Sequence, residues 1–295
     1  MKSIIKKILN PINLYKAYCL SKSKKYTKAN NDLELLLYSK IISTDMLHYG
    51  YFEDVNIDVE SISIKDIELA QMKYIDLIIN QIKNFEKPVL DVGAGMGGLS
   101  NALFKKKFNV HALTPDINQK KYIEFKYPHI KLYNMKFEDF STKNKYGTVI
   151  NSESLQYIKL DTAFKNINQI LHDKGIWIIT DYFRINSDGQ NKSGHMYNDF
   201  INEVKNHDWK IIFEKDITLN SLPTIKYGKF FIDRFVRPSL EFGEEKLKLK
   251  SPEVNFFLKD LIKKIKIKFE KEITALDSNK FVKEKKYMLF VISKK

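Results

Sequence analysis

Pro88-Val89-Leu90-Asp91-Val92-Gly93-Ala94-Gly95-Met96-Gly97-Gly98 opens as a short apolar strand, passes into a glycine-rich turn and continues into a helix beginning near Leu99. So tight a turn from strand to helix needs the backbone freedom of glycine, and it lets a ligand approach the main chain closely. The G-x-G-x-x-G spacing alone fits a dinucleotide equally well. Asp91, two residues before the first glycine at the carboxyl end of the strand, separates the alternatives. A carboxylate there repels a pyrophosphate and attracts a cation. A cationic ligand is therefore expected, set against the plainer reading of a structural turn with an exposed aspartate.

Outward from the turn, short apolar runs alternate with helical stretches, the pattern of a parallel sheet with crossover helices. Strands are predicted near 88–92, 108–113, 130–134, 147–152, 174–181, 209–217 and 286–293, and helices near 98–107, 117–126, 161–172 and 195–206. Upstream, Ile67, Ala70, Tyr74, Ile75, Ile78, Ile79 and Ile82 keep to one side of a helix that starts at Ser63 and is closed by Pro88. Residues 1–60 read as mostly helical and irregular, with Leu33, Leu36, Leu37 and Ile41 at helical spacing. In the stretch 222–280, which lies outside the sheet pattern, Leu258, Leu261, Ile262, Ile265, Phe269 and Ile273 mark one helix face, with Lys259, Lys263, Lys264, Lys266 and Lys271 largely off it. The expected fold is a doubly wound, Rossmann-like α/β unit with a seven-stranded, mostly parallel sheet. It divides into a helical N-terminal extension or lid (1–62), a core (63–221 plus 281–295) and a helical insertion (222–280) before the last strand. The insertion helix reads as a lid on the substrate side, a membrane-surface contact, or a helix packed on the core with its lysines in water.

At 295 residues and 43% hydrophobic content the chain can bury a full core. Its single cysteine, Cys19, provides neither a disulfide nor a thiolate metal site, so a reducing, cytoplasmic setting and no metal are expected. No apolar run approaches the roughly 18–20 residues of a membrane span. Met1 to Leu20 resembles the start of a signal peptide, but Asn10, Pro11 and Asn13 interrupt it and no small-residue cleavage site follows, so export is not expected. The net charge of +14 invites a nucleic-acid reading. Its positive residues, however, are dispersed lysines with only Arg184, Arg234 and Arg237 as exceptions, whereas bidentate recognition favours arginine. No nucleic-acid partner is expected. The charge makes a generic solvated surface, or serves approach to anionic membranes or acidic substrates.

The order acidic, apolar, Gly, x, Gly, x, Gly from Asp91 to Gly97 resembles the first motif of the class I S-adenosylmethionine-dependent methyltransferases. The likeness covers roughly 65–220. The ammonium and sulfonium of S-adenosylmethionine are cations that Asp91 would favour. The resemblance implies that the cofactor lies on this turn, Ala94 included, with Gly93 and Gly95 lining the methionine part and Asp91 organising its amino end. The family often carries an acidic residue after the second strand to bind the ribose. Here Thr114, with Gln119 five residues on, resembles the cyclopropane fatty acid synthase and tocopherol methyltransferase branch, where hydroxyl and amide replace the carboxylate. Asp116 stands as an alternative ribose ligand or as a helix N-cap.

By the same resemblance Phe137 and Glu138 meet adenine, unless they form a solvated acidic turn, and Asn151 belongs to the cofactor site. Glu153 matches a family glutamate at the reaction pocket, able to steady positive charge or take a proton, or else it caps the next helix. Tyr157 stands where many members have histidine, which puts a histidine base there in doubt. His48-Tyr49-Gly50-Tyr51-Phe52 is similar to an aromatic segment that closes over cofactor and substrate. Tyr49 and Tyr51 surround a sulfonium methyl or form a helix staple, and His48 is a candidate base or a satisfied structural histidine. Tyr182, at the end of the fifth strand, is a pocket candidate, with Asp181 beside it as a possible loop-holding group.

The implied activity is methyl transfer to carbon or oxygen of a small, apolar acceptor, such as a lipid, isoprenoid, quinone or polyketide-like molecule. Alignment of nucleophile, methyl and sulfonium supplies much of that acceleration, which accounts for a clear cofactor site without an unmistakable catalytic group. An amine N-methyltransferase, an RNA methyltransferase and a noncatalytic partner that keeps the fold are the alternatives; Asp91 disfavours a dehydrogenase.

Overall fold

A computed structural model describes residues 10–22, 37, 40–187 and 192–295. The sequence-predicted positions Leu33 and Leu36 lie outside the described residues, while Leu37 and Ile41 are exposed. Helix α1 (Pro11–Lys22) is exposed and carries Cys19. Helix α2 (Ile64–Ile79) starts from a capping box: the Ser63 hydroxyl accepts from the Asp66 N–H while the Asp66 carboxylate accepts from the Ser63 N–H. All seven apolar positions read on its face, through Ile82, are buried. The helix does not run on to Pro88. It ends at Asn80, and the Asn84 side chain then accepts from the N–H groups of Glu86 and Lys87, a local turn that competes with helix.

The alternation follows in order: β1 (Val89–Val92), α3 (Gly98–Lys105), β2 (Val110–Leu113), α4 (Ile117–Lys126), β3 (Lys131–Tyr133), β4 (Tyr146–Ser152), α5 (Leu160–Ile170), β5 (Leu171–Arg184), α6 (Tyr197–Asn206), β6 (Trp209–Asp216), α7 (Thr218–Phe231), α8 (Arg237–Lys250), α9 (Pro252–Ile273), α10 (Ser278–Glu284) and β7 (Lys285–Lys294). The sheet order is β3-β2-β1-β4-β5-β7-β6, parallel throughout except for β7, which runs antiparallel to both its neighbours. The expected doubly wound, mostly parallel seven-stranded sheet is therefore present. Its fifth strand runs three residues beyond the predicted end because β7 pairs it from Ile176 as far as Arg184.

Both faces of the sheet are covered. On one, Phe164, Ile167, Phe200 and Val204 pack against Trp177, Trp209 and Phe290; on the other, Tyr74, Ile75, Ile78, Leu99, Leu103, Ile225 and Phe281 form a second layer. Each fully buried Leu, Ile or Phe contributes about 1.5–3 kcal/mol before conformational entropy is counted. Strand order reverses between β1 and β4, which opens a crevice at the carboxyl ends where such sheets receive ligands.

The insertion is helical throughout. A π-helical turn, Ile232–Val236, joins α7 to α8, and α9 folds back along α8 with Arg237–Glu270 and Glu244–Lys266 ion pairs across the two. Core packing does not describe α9: of the face read from sequence, Ile273 at its base is buried, whereas Leu258, Leu261 and Ile265 are exposed. No helix among the described residues is long and apolar enough to cross a membrane.

Candidate active site

At the carboxyl ends of the central strands lies a cavity of about 550 Å³. Its floor is the glycine turn. Gly93 sits at φ +77°, and a Cβ there would stand 2.4 Å from the Ser154 Cβ, so the position admits only glycine without rearrangement. The N–H groups of Gly93 and Ala94 both donate to the Leu113 carbonyl, at 2.8 and 3.1 Å, binding the turn to β2. Asp91 is buried beside them and accepts from the Ser100 hydroxyl at 2.5 Å. Burial pushes its carboxyl up to about 6, with the Ser100 bond pulling the other way.

After β2, the Thr114 hydroxyl donates to Gln119 Oε1 at 2.5 Å, so the two groups expected on the ribose bond each other on the cavity wall. Asp116 is the N-cap of α4, accepting from the N–H groups of Asn118 and Gln119 at 2.7 and 2.9 Å, while also lining the cavity. Phe137 and Glu138 line it from the short turn after β3.

Glu153 follows β4 at φ +49°, a left-handed conformation that costs a non-glycine residue about 1–2 kcal/mol. Its Oε1 accepts from the Tyr287 hydroxyl at 2.6 Å and the Tyr49 N–H at 3.0 Å, and it lines the cavity. It does not cap the next helical turn, which begins at Ser154 without a side-chain cap. Burial pushes its carboxyl up to about 7, against the pull of the Tyr287 and Tyr49 bonds. Asp181 holds the loop: its oxygens accept from the N–H groups of Tyr182 and Gln156 at 2.9 and 3.1 Å. Burial, reinforced by the Glu153 charge, raises it to about 8. Tyr182 reaches the cavity with the Lys285 ammonium 4.1 Å over its ring, and Lys285, itself buried and lowered to about 8 by that burial, donates to the Ser193 hydroxyl. Tyr157 lines the cavity rim, 77% exposed.

His48 lines the cavity, stacked on Tyr74 at 4.0 Å. Its Nδ1 lies 2.9 Å from the Tyr49 carbonyl and so carries the hydrogen, which leaves Nε2 as a buried lone pair without a partner among the described residues. Burial lowers its pKa to about 4, so the ring is neutral near pH 7. Three sequence candidates are not brought to the cavity. Tyr49 turns its ring into an aromatic cluster with Tyr182, Phe281 and Tyr287 and offers only its backbone N–H to Glu153. The Tyr51 hydroxyl is taken by Lys215 at 2.9 Å. Asn151 is buried within β4, its Nδ2 donating to Ser154 and its Oδ1 accepting from the Trp177 indole, so both ends are used in the core.

Two groups went unread in the sequence. Tyr287, 134 residues from Glu153, arrives through the antiparallel register that sets it opposite Tyr182. Asp45, buried at φ +57° on the cavity wall, accepts from the Tyr122 and Tyr127 hydroxyls at 2.6 and 2.5 Å and pairs with Lys126 at 2.5 Å. These contacts fasten the segment before His48 to α4. The Tyr-x-x-x-Lys-Tyr spacing along that helix was the only signal for them. The lining now holds five carboxylates, Asp45, Asp91, Asp116, Glu138 and Glu153, against one lysine, Lys136, in a chain of net charge +14.

The mixed seven-stranded sheet with its covering helices is the Rossmann-like fold of S-adenosylmethionine-dependent methyltransferases. Solved structures with which the chain shares it include the [4+2]-cyclase SpnF (TM-score 0.62, 15% identity, 90% of this chain and 94% of that one). The geranyl diphosphate C-methyltransferase of Streptomyces coelicolor A3(2), solved with Mg²⁺, geranyl diphosphate and S-adenosyl-L-homocysteine, gives a TM-score of 0.61 at 14% identity over the same shares. The cyclopropane synthase MmaA2 of Mycobacterium tuberculosis also gives 0.61, at 13% identity over 85% of this chain and 91% of that one. In sequence, the chain is 29% identical over 142 residues to (S)-coclaurine N-methyltransferase of Papaver somniferum, a match covering 44% of this chain and 37% of the length of that protein. No family model matches the chain. Since a cyclase shares the fold, architecture alone does not fix the reaction.

Proposed function

We propose that the chain is an S-adenosylmethionine-dependent methyltransferase acting on a small, apolar acceptor at carbon or oxygen. The observation that carries this reading is the charge of the cavity: five carboxylates on a glycine-cradled crevice in a basic chain suit a ligand bearing an ammonium and a sulfonium. The residues fit that ligand. Asp91 would face its amino end, Gly93, Ala94 and Gly95 would let it approach the backbone, Thr114 and Gln119 would hydrogen-bond the ribose, and Phe137 and Glu138 would meet the base. S-adenosylmethionine supplies a methyl group on a good leaving sulfur. The chain supplies alignment and water exclusion, with His48 and the segment fastened by Asp45 closing one wall. Glu153, held by Tyr287 and near 7, takes the proton the acceptor sheds.

A second reading is an amine acceptor, since Glu153 offers a carboxylate to an ammonium in the cavity, while the Tyr182 ring face is already taken by the Lys285 ammonium. The coclaurine N-methyltransferase likeness points the same way. In either reading the extension (1–62) is a lid on the core (63–221 plus 281–295), and the insertion (222–280), which lends no residue to the cavity lining, is the membrane-surface lid. The protein works in the cytoplasm, in peripheral contact with the inner membrane surface.

Calorimetric titration with S-adenosylmethionine and its demethylated product, beside a nicotinamide dinucleotide, tests the cofactor. Micromolar binding of the first two alone is expected, and a folded sample that ignores both overturns the reading. Transfer of labelled methyl to quinone- or polyketide-like acceptors against secondary amines then separates the two acceptor classes.

A further inference from the structure

The hairpin of α8 and α9 ends in a tip of unusual composition. Leu249, Phe256 and Phe257 are 82%, 74% and 81% exposed, with Phe256 and Phe257 edge-to-face at 5.7 Å; Lys246, Lys250 and Lys259 are exposed on the same two helices, and Lys248 is ion-paired with Glu244 and Glu245. Along α9 the stripe continues through Leu258, Leu261 and Ile265, at helical spacing and all exposed, with exposed Lys264 and Lys268 beside it. Large apolar side chains left in water at this density mark a surface that another phase or molecule covers.

We infer that this hairpin docks the protein on an anionic lipid bilayer, with Phe256, Phe257 and Leu249 entering the headgroup region and the lysines meeting lipid phosphates. The charge names the occupant. Residues 237–273 hold ten basic against seven acidic side chains, in a chain of net charge +14. A second copy would therefore bring like charge, whereas an anionic surface is complementary and rewards each lysine near it. The geometry gives docking a consequence. The hairpin grows from α7 through the π-helical turn, and α7 holds the segment over the cavity: the Gly50 N–H donates to the Thr224 hydroxyl at 3.0 Å, and Asn220 bonds both the Phe52 N–H, at 2.9 Å, and the Phe52 carbonyl, at 2.7 Å. A docked hairpin thus sets the cavity wall beside the surface from which an apolar acceptor would come. The inference rests on the membrane contact proposed above and names the surface that makes it.

The test is co-sedimentation of the full chain with phosphatidylcholine vesicles, with and without phosphatidylglycerol, in the absence of cofactor and acceptor. Failure here therefore leaves the transfer reaction untouched. Binding at least about tenfold tighter to the anionic vesicles, weakened by salt, is expected. A Phe256→Ser/Phe257→Ser double variant should lose at least about tenfold in vesicle binding with cofactor affinity unchanged, while Phe125→Ser, at an exposed phenylalanine on α4, keeps it. Three results overturn the inference: a folded chain that ignores anionic vesicles, a double variant that binds as well as the parent, or a parent dimer that the double variant converts to monomers, which would hand the face to a second copy.

Discussion

Asp91 carries the electrostatics of the turn. Buried and raised to about 6, it is ionised at neutral pH but gives up its charge sooner than an exposed aspartate would. A cation binds the ionised form, so affinity for S-adenosylmethionine should be level above pH 6 and fall about tenfold per unit below it, as titration calorimetry across that range would read. Asp91→Asn should remove the pH step and weaken binding about 10–100-fold, the worth of one charge-assisted hydrogen bond at about 1.5–3 kcal/mol. Glu153 is a different case at the same scale. Its left-handed backbone is tolerated because Tyr49 and Tyr287 hold the side chain, and that strain aims a carboxylate into the cavity.

At the scale of elements, helix α4 does two jobs with one face, on which Gln119, Tyr122 and Lys126 recur at i, i+3 and i+7. Gln119 reaches the cavity from its first turn, while Tyr122, Lys126 and Tyr127 grip Asp45 from further along and at its end. The segment that closes over the cavity is thereby tied to an element of the floor. Asp45→Asn breaks the ion pair, and cofactor dissociation measured by stopped flow should speed about tenfold, roughly 1.4 kcal/mol, with association little changed. A variant that only melts earlier, at an unaltered dissociation rate, would reduce Asp45 to a structural role. The turn chemistry and strands of the core were legible locally, because period and glycine spacing are written within a few residues of one another. The grip on Asp45 was not, since its partners lie 77 to 82 residues away.

Over the whole molecule, surface and cavity carry opposite charge, and three cavity-side carboxylates are held above their ordinary range, Asp91 at about 6, Glu153 at about 7 and Asp181 at about 8. A carboxylate raised on folding contributes stability that is full below its unfolded value and is lost as pH rises through its folded value. Lys285, lowered to about 8, opposes this only at the alkaline edge, and His48, lowered from 6.5 to about 4, only below pH 6.5. The ligand-free protein should therefore melt a few degrees higher at pH 6.5 than at pH 8.5, about 2–4 °C for each kcal/mol. S-adenosylmethionine should narrow the gap by favouring the ionised forms. Calorimetric melting at both pH values, with and without cofactor, reads both effects.

The alternating core, the glycine turn and the position of Asp91 were legible in the chain alone, because strand period, helix period and turn sterics act over short separations. The sequence also placed a basic amphipathic helix in the insertion. Where that helix's apolar face went was settled by packing across the fold, since the same pattern serves a packed helix and a surface-seeking one. The fold likewise withdrew Tyr49, Tyr51 and Asn151 from the cavity, supplied Asp45 to its wall and set Tyr287 behind it to hold Glu153. Which of several polar neighbours faces a ligand depends on strand register and on partners distant along the chain, and β7, which carries that register, lies beyond the insertion in sequence.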